Sequence, residues 1–227
     1  MVRSERTTLR GESPVETDQD LRDKDRQWFI AIRWQEYEGE SLANLLRLVA
    51  IGSFYSVQLI NYYVVGQSSA DALKFHQAAT AIAVAWTLIA MAVQLCLRNQ
   101  VFPSSLKYLS AGCDVLLLTA LAAISESKAN SPLIYAYFIL LSLAGLRFSL
   151  RLVWFTTGGC MIAYLFLVAV SDSTWFDANH TVRPVEQLIV HLSLIICGVV
   201  IGQLVRRVKT LASHYANRLT ARIAIHE

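Results

Sequence analysis

Charged residues are scarce over most of this chain. Only 16% of its 227 residues are Asp, Glu, Lys or Arg, whereas 55% are hydrophobic. Seventeen of the charged residues lie in the first forty positions, and uncharged gaps of nine residues or more recur after that. Soluble domains do not segregate charge in this way, so the composition is typical of a polytopic membrane protein. With most of its length needed for membrane spans, the chain has no room for a separate soluble catalytic domain.

Sequence motifs of enzymes and metal sites are also missing. The chain has no GxSxG, HExxH, Walker A or dinucleotide glycine pattern, so we expect it not to be an enzyme. Its basic residues are spread over many short loops, which argues against a nucleic-acid partner. The cysteines form no CxxC pair and fall inside apolar runs, where they are predicted to be small buried hydrophobes: Cys96, Cys113, Cys160 and Cys197.

Six apolar runs are each close to the ~20 residues that a helix needs to cross a ~30 Å hydrocarbon core. They cover residues 42–65, 78–97, 106–125, 132–149, 152–171 and 186–205. Pro132 opens the fourth run, at a first-turn position where proline removes no helical hydrogen bond. The basic stretch from Arg147 to Arg151 predicts a tight turn between the fourth and fifth runs, because one forty-residue helix does not fit a bilayer. The predicted fold is therefore all-α, a six-helix transmembrane bundle.

The distribution of basic residues predicts the orientation of this bundle. With a cytosolic N-terminus, sixteen Lys and Arg residues fall on the inner side, and the outer loops hold only Lys74, Lys128 and Arg183. Short cytosolic loops carry the excess of basic residues in membrane proteins. We therefore expect both termini to be cytosolic and the lipid bilayer to surround residues 42–205.

The segments that flank the membrane domain differ from it in composition. Residues 1–20 are polar and charged, which predicts a disordered cytosolic tail. Residues 21–41 mix aromatic and charged side chains and indicate an amphipathic juxtamembrane helix, lying on the inner leaflet or packed on the bundle. Residues 206–227 continue the last span as a helix that could fold back on a neighbour or form a parallel coiled coil.

Three charged residues are predicted to lie inside the membrane domain. Asp114 is the only acid well inside an apolar run, and Arg47 and Arg147 fall in the same inner third. Such groups cost roughly 2.5–3.5 kcal/mol at the centre of a span, so they are usually paired or functional. We predict a buried ion pair within this cluster that fixes helix register, with signalling, proton handling or snorkelling of the arginines as alternatives.

A glycine pair in the last run suggests a helix contact. Gly198 and Gly202 form a GxxxG, which allows a partner backbone to approach closely in lipid. The partner is either a second copy of the chain or another span of the same bundle. An apolar stripe after this run favours the homodimer: Val208, Leu211, Tyr215, Leu219 and Ile223.

Three histidines are predicted to lie toward the outer face. His76 starts the second run, His191 lies in the sixth, and His180 is in the loop between the fifth and the sixth. Imidazoles from two helices can ligate a b-type haem or, with a carboxylate, a metal ion. No i,i+3 or i,i+4 spacing supports a metal site, so we expect hydrogen-bonded histidines and no cofactor, with haem b as the alternative.

Two stretches carry a resemblance to a known class of membrane domain. They are Asp114-Val-Leu-Leu-Leu-Thr and Asn130-Ser-Pro-Leu-Ile-Tyr-Ala-Tyr-Phe-Ile-Leu-Leu-Ser-Leu-Ala-Gly-Leu-Arg147. Together with the fifth run they resemble the six-helix input regions of bacterial sensor proteins, such as class III adenylate and guanylate cyclases, sensor histidine kinases and diguanylate cyclases. In that family a catalytic domain follows the membrane region. Because the sequence stops at Glu227, we expect either an independent input module or a piece of a longer receptor.

The resemblance implies an integral membrane sensor or anchor module of the bacterial inner membrane. It implies a homodimer that passes a conformational change through its last helix to a cytosolic output domain or partner of the cyclase or kinase type. Two other classes stay open. One is a small-solute or ion transporter that uses Asp114 and Arg147, and the other is a haem-bearing electron-transfer anchor.

Overall fold

The computed structural model describes residues 18–64, 70–99, 103–125, 129, 131–171 and 182–226. The regular elements in these ranges are all helical, which confirms the predicted all-α class. They are α1 (Asp18–Tyr63), α2 (Ala70–Arg98), α3 (Ser104–Ile124), a 3₁₀ turn (Pro132–Tyr135), α4 (Ala136–Leu146), α5 (Leu150–Ser171) and α6 (Pro184–His226).

The chain divides after Glu36 into two compact units. In the first unit the described residues are the beginning of α1, from Asp18 onward. Most of the predicted tail 1–20 lies outside the described residues, but residues 18–20 are helical. The second unit, 37–227, contains the membrane domain. In it α6 passes residue 206 without a break, so the last predicted span and the helix after it are one element.

Within the described residues, five helical segments are long and apolar enough to cross a membrane, which makes the chain a membrane protein. They are Tyr37–Tyr63, Ala72–Arg98, Ser105–Ile124, Leu150–Ser171 and Pro184–His214. The predicted span 132–149 is shorter, since the apolar helical segment there is Pro132–Leu146. Four 3₁₀ residues and eleven α-helical residues extend only about 24 Å, less than a ~30 Å hydrocarbon core. The count of six spans stays a prediction.

Local sequence explains both ends of the short α4 segment. Ser131 caps the 3₁₀ turn by accepting a hydrogen bond from Leu133 N at 3.3 Å, and Pro132 occupies the first turn. At the other end α4 stops at Leu146 and α5 starts at Leu150. Phe148 in this turn has a φ of 49°, a left-handed conformation that is rare for a bulky side chain. The tight turn predicted between Arg147 and Arg151 is therefore present.

The hydrophobic core is centred on α4 and α5. Tyr137, Leu141, Cys160, Tyr164 and Leu167 are almost fully buried there, packed against α3 and α6. In contrast, α1 approaches the other helices closely at few positions. The short helix therefore lies at the middle of the bundle, and α1 is its most loosely packed member.

Candidate functional site

A fully buried ion pair joins α1 to α3. Arg47 donates from Nε and Nη2 to Asp114 Oδ2 at 3.1 and 2.7 Å, and the two side chains are 1% and 5% exposed. Arg47 Nη1 also donates to Asn44 Oδ1 at 2.9 Å. The other carboxylate oxygen of Asp114 accepts a hydrogen bond from Trp86 Nε1 at 2.7 Å. Both oxygens of Asp114 are thus engaged, and we call Arg47–Asp114 the interior pair.

The interior pair lies deep in its helices. Asp114 comes ten residues after Ser104, the first residue of α3, and so lies about 15 Å along α3 from that end. Arg47 lies at the same depth, because it pairs with Asp114. At that depth neither side chain reaches the membrane surface easily, so mutual pairing is how their charges are stabilised.

Asn44 and Ser110 extend the interior pair into a polar layer. Asn44 Nδ2 donates to Ala90 O at 3.1 Å and to Gln94 Oε1 at 2.9 Å, which ties α1 to α2. Arg47 Nη2 is 3.4 Å from Ser110 Oγ of α3. The loosely packed α1 is therefore held largely by polar contacts. Sequence reasoning missed Asn44, Ser110 and Trp86, and the only available signal was that Asn44 precedes Arg47 by one helical turn.

A second buried ion pair lies closer to the end of the bundle. Arg147 Nη2 is 3.0 Å from Glu40 Oε1, and the side chains are 3% and 2% exposed. Arg147 Nη1 donates to Lys107 O at 2.9 Å. Within the described part of the chain, Glu40 Oε1 and Arg147 Nε make no hydrogen bond. We call Glu40–Arg147 the boundary pair, because Arg147 directly follows α4, in the turn before α5, and Glu40 contacts it there.

Of the three charged residues that the sequence grouped together, Arg47 and Asp114 pair with each other, and Arg147 pairs with Glu40. Glu40 falls in the predicted juxtamembrane segment 21–41, two residues before the apolar run that starts at 42. In the structure it is only 1% exposed, and it contacts Arg147.

Both glycines of the GxxxG pack within the chain, against α5. A Cβ atom added to Gly198 would lie 2.5 Å from Thr157 Oγ1, and one added to Gly202 would lie 3.1 Å from Leu150 Cδ1. Of the two partners that the sequence allowed, the structure therefore provides the span of the same bundle. α5 therefore covers the glycine face of α6 at which the dimer hypothesis placed the contact between two copies. Further along α6, Leu211 is exposed and Val208 is half-buried.

The predicted contacts beyond Leu211 and one predicted histidine cannot be placed. The side chains of Tyr215 and Leu219 lie outside the described residues, and so does His180. His76 stacks on Tyr62, with ring centroids 4.1 Å apart. His191 Nδ1 is hydrogen-bonded to Gln187 O at 2.8 Å. Among the described residues no three His, Cys, Asp or Glu side chains converge as metal ligands.

A cavity of about 450 Å³ adjoins the interior pair, between α1, α2, α3 and the α4 segment. Arg47 and Trp86 line its deep end. Its walls are aliphatic and aromatic, and its far rim is polar. That rim consists of side chains near the opposite helix ends: Gln58, Asn61, Ser125 and Ser131. A volume of this size is in the range of small-molecule sites, which are few and mostly apolar.

Comparison with models of known protein families, with curated proteins and with solved structures found no match.

Proposed function

We propose that this chain is an integral membrane sensor or anchor module that passes a conformational change through α6 to a cytosolic output domain or partner. The observation that carries the proposal is the boundary pair, a buried ion pair with unsatisfied atoms at the junction of three helices. Half-satisfied buried polar groups are costly, so a change in the packing around them shifts the balance between arrangements.

Close contacts around the boundary pair supply a route from α1 to α6. A Cβ added to Gly39, next to Glu40, would lie 2.7 Å from Leu146 O. One added to Gly145 would lie 2.5 Å from Ile201 Cγ2 of α6. The end of α4 is therefore wedged between α1 and α6 with little free space. Movement of α1 would reach α6 through this junction, because close-packed groups shift together.

Output through α6 is the second part of the proposal. After the basic residues Arg206, Arg207 and Lys209, α6 continues to His226 and presents the exposed apolar side chain of Leu211. A second copy of the chain would cover this stripe in a parallel coiled coil. Because Gly198 and Gly202 are occupied by α5, we place the dimer contact in the part of α6 after residue 206. The positive-inside distribution supports a cytosolic location for this part.

Disulfide crosslinking of the full chain in native membranes tests both parts. A cysteine introduced at Leu211 is expected to crosslink two copies, whereas one at Ala212, displaced by about 100° around the helix, crosslinks weakly. The parent chain, with its own four cysteines, controls for background. Glu40→Gln is expected to change the yield at 211. If the Leu211 cysteine variant stays monomeric under oxidising conditions, the proposed dimer is wrong. If the crosslinking yield at 211 is the same with and without Glu40→Gln, the proposed coupling is wrong.

A further inference from the structure

We propose that the cavity binds one neutral, single-chain amphiphile drawn from the bilayer, with its apolar chain in the cavity and a hydroxyl or amide head at Gln58 and Asn61. This names the kind of molecule to which the proposed sensor responds, and to that extent it rests on the proposed function. The cavity itself, its opening and its polar rim carry the argument.

The walls of the cavity fit an apolar chain that enters sideways from lipid. Its lining is dominated by residues such as Phe54, Ile82, Leu118 and Leu140. Three lining residues are substantially exposed, Phe54 at 44%, Val57 at 65% and Ile139 at 39%, so the cavity is not closed on their side. The first two belong to α1 and the third to α4, so the cavity opens toward the bilayer between these helices.

The charge of the lining selects a neutral ligand. Arg47 is the one charged side chain among the described lining residues, and its guanidinium is already paired with Asp114. A charged head at the rim would find no counter-ion, because the rim side chains Gln58, Asn61, Ser125 and Ser131 are uncharged and Arg47 lies at the deep end. A charge carried into an apolar cavity is costly unless it is paired. A neutral molecule avoids this cost.

The rim supplies hydrogen-bonding groups for a small polar head. Gln58 and Asn61 lie one helical turn apart on α1, and within the described residues their side-chain amides have no hydrogen-bond partner. An amide both donates and accepts, so a hydroxyl or amide head suits the pair. Asn61 is two residues from the end of α1, which places the head near the membrane surface and the chain toward Trp86.

Occupancy of the cavity would act on the polar layer directly. The ligand would fill the space between α1 and the remaining helices, where α1 has few close contacts of its own. Its far end would touch Trp86 and Arg47, which both hydrogen-bond to Asp114. Binding is therefore linked to the position of α1. Because α1 also carries Glu40, binding is linked to the boundary pair as well.

Photolabelling of the full chain in phospholipid nanodiscs tests the site. The probe is a long-chain primary alcohol that carries a diazirine near its chain end, with unlabelled dodecanol, dodecane and dodecyltrimethylammonium as competitors. We expect labelling to map to cavity residues such as Phe54 and Leu140 and to be competed best by dodecanol. Ala83→Phe, which fills the cavity, should reduce labelling roughly tenfold. Ala81→Phe is the matched control, since Ala81 is exposed on the same helix outside the cavity.

A second variant tests the head group. Combined Gln58→Leu and Asn61→Leu should weaken competition by dodecanol roughly three- to tenfold and leave dodecane unchanged. Labelling that is spread over lipid-facing residues and is insensitive to Ala83→Phe would show bulk lipid contact and overturn the site. Equal competition by the cationic amphiphile would overturn the neutral ligand. Cavity labelling without any change in crosslinking at 211 would support the site and contradict the sensor function.

Discussion

The interior pair and the boundary pair are almost equally buried, yet they differ in how completely their atoms are satisfied. Asp114 receives hydrogen bonds on both oxygens, from Arg47 and from Trp86. Glu40 Oε1 contacts Arg147 without forming a hydrogen bond, and Arg147 Nε is also unsatisfied within the described residues. Burial alone therefore does not show how completely the atoms of an ion pair are hydrogen-bonded.

Depth in the bundle accounts for this difference. The interior pair lies about 15 Å from the start of α3, where hydrogen bonds within the protein are the only ones available. The boundary pair lies at the turn between α4 and α5, where the long arginine side chain can exchange its partner for water. We therefore expect the interior pair to hold α1 in place and the boundary pair to be the one that can change.

Asp114→Asn gives the largest effect that this comparison predicts. It removes the negative charge and leaves Arg47 buried without a counter-ion, at a cost of about 3–5 kcal/mol for a fully buried pair. Thermal unfolding in detergent should show a large loss of stability. Asp172→Asn, in a predicted outer loop, is the control. Equal stability of the two variants would mean that the interior pair does not hold the fold.

Gly145→Ala tests the contact that links α4 to α6. The added Cβ would lie 2.5 Å from Ile201 Cγ2, and such overpacking costs about 1–3 kcal/mol. A second substitution, Ile201→Ala, removes the opposing atoms and should restore part of the lost stability. Gly158→Ala is the matched control, because a Cβ there meets nothing within 4 Å. If Gly145→Ala unfolds at the same temperature as Gly158→Ala, α4 and α6 are not in close contact at this position.

Glu40→Gln gives the smallest effect on stability. Its Oε1 makes no hydrogen bond within the described residues. Arg147 keeps its hydrogen bond to Lys107 O and lies at the turn after α4, where water can reach its guanidinium. We expect a loss of about 1 kcal/mol, near the value of a surface ion pair. A loss as large as that of Asp114→Asn would abolish the distinction between the two pairs.

Hydropathy and charge were sufficient to predict the helical class and the approximate position of each apolar segment. They placed the turn after Arg147 correctly, because a basic residue between two apolar runs has few other locations. They overestimated the length of the fourth segment, because an apolar run predicts burial but not the residue at which the helix stops. Phe148 ends α4 through a backbone conformation that its residue type does not favour.

The partners within the site were harder to predict. Periodicity does not indicate which residues of different helices meet, so Arg147 was grouped with Asp114 rather than with Glu40. The same uncertainty applied to Gly198, because a small residue permits close packing but does not indicate which helix packs against it. The opposing atoms belong to Thr157, forty-one residues earlier in the chain.

Hydrogen exchange of α6 over residues 206–214 tests the central claim most directly, that the boundary pair couples the bundle to its last helix. Glu40→Gln and the wild-type chain are compared in nanodiscs, with Lys74→Gln as a charge-removing control at the opposite helix ends. The account predicts roughly three- to tenfold faster exchange over 206–214 in Glu40→Gln, despite its small effect on global stability. Unchanged exchange in that segment, or the same acceleration in Lys74→Gln, would contradict it.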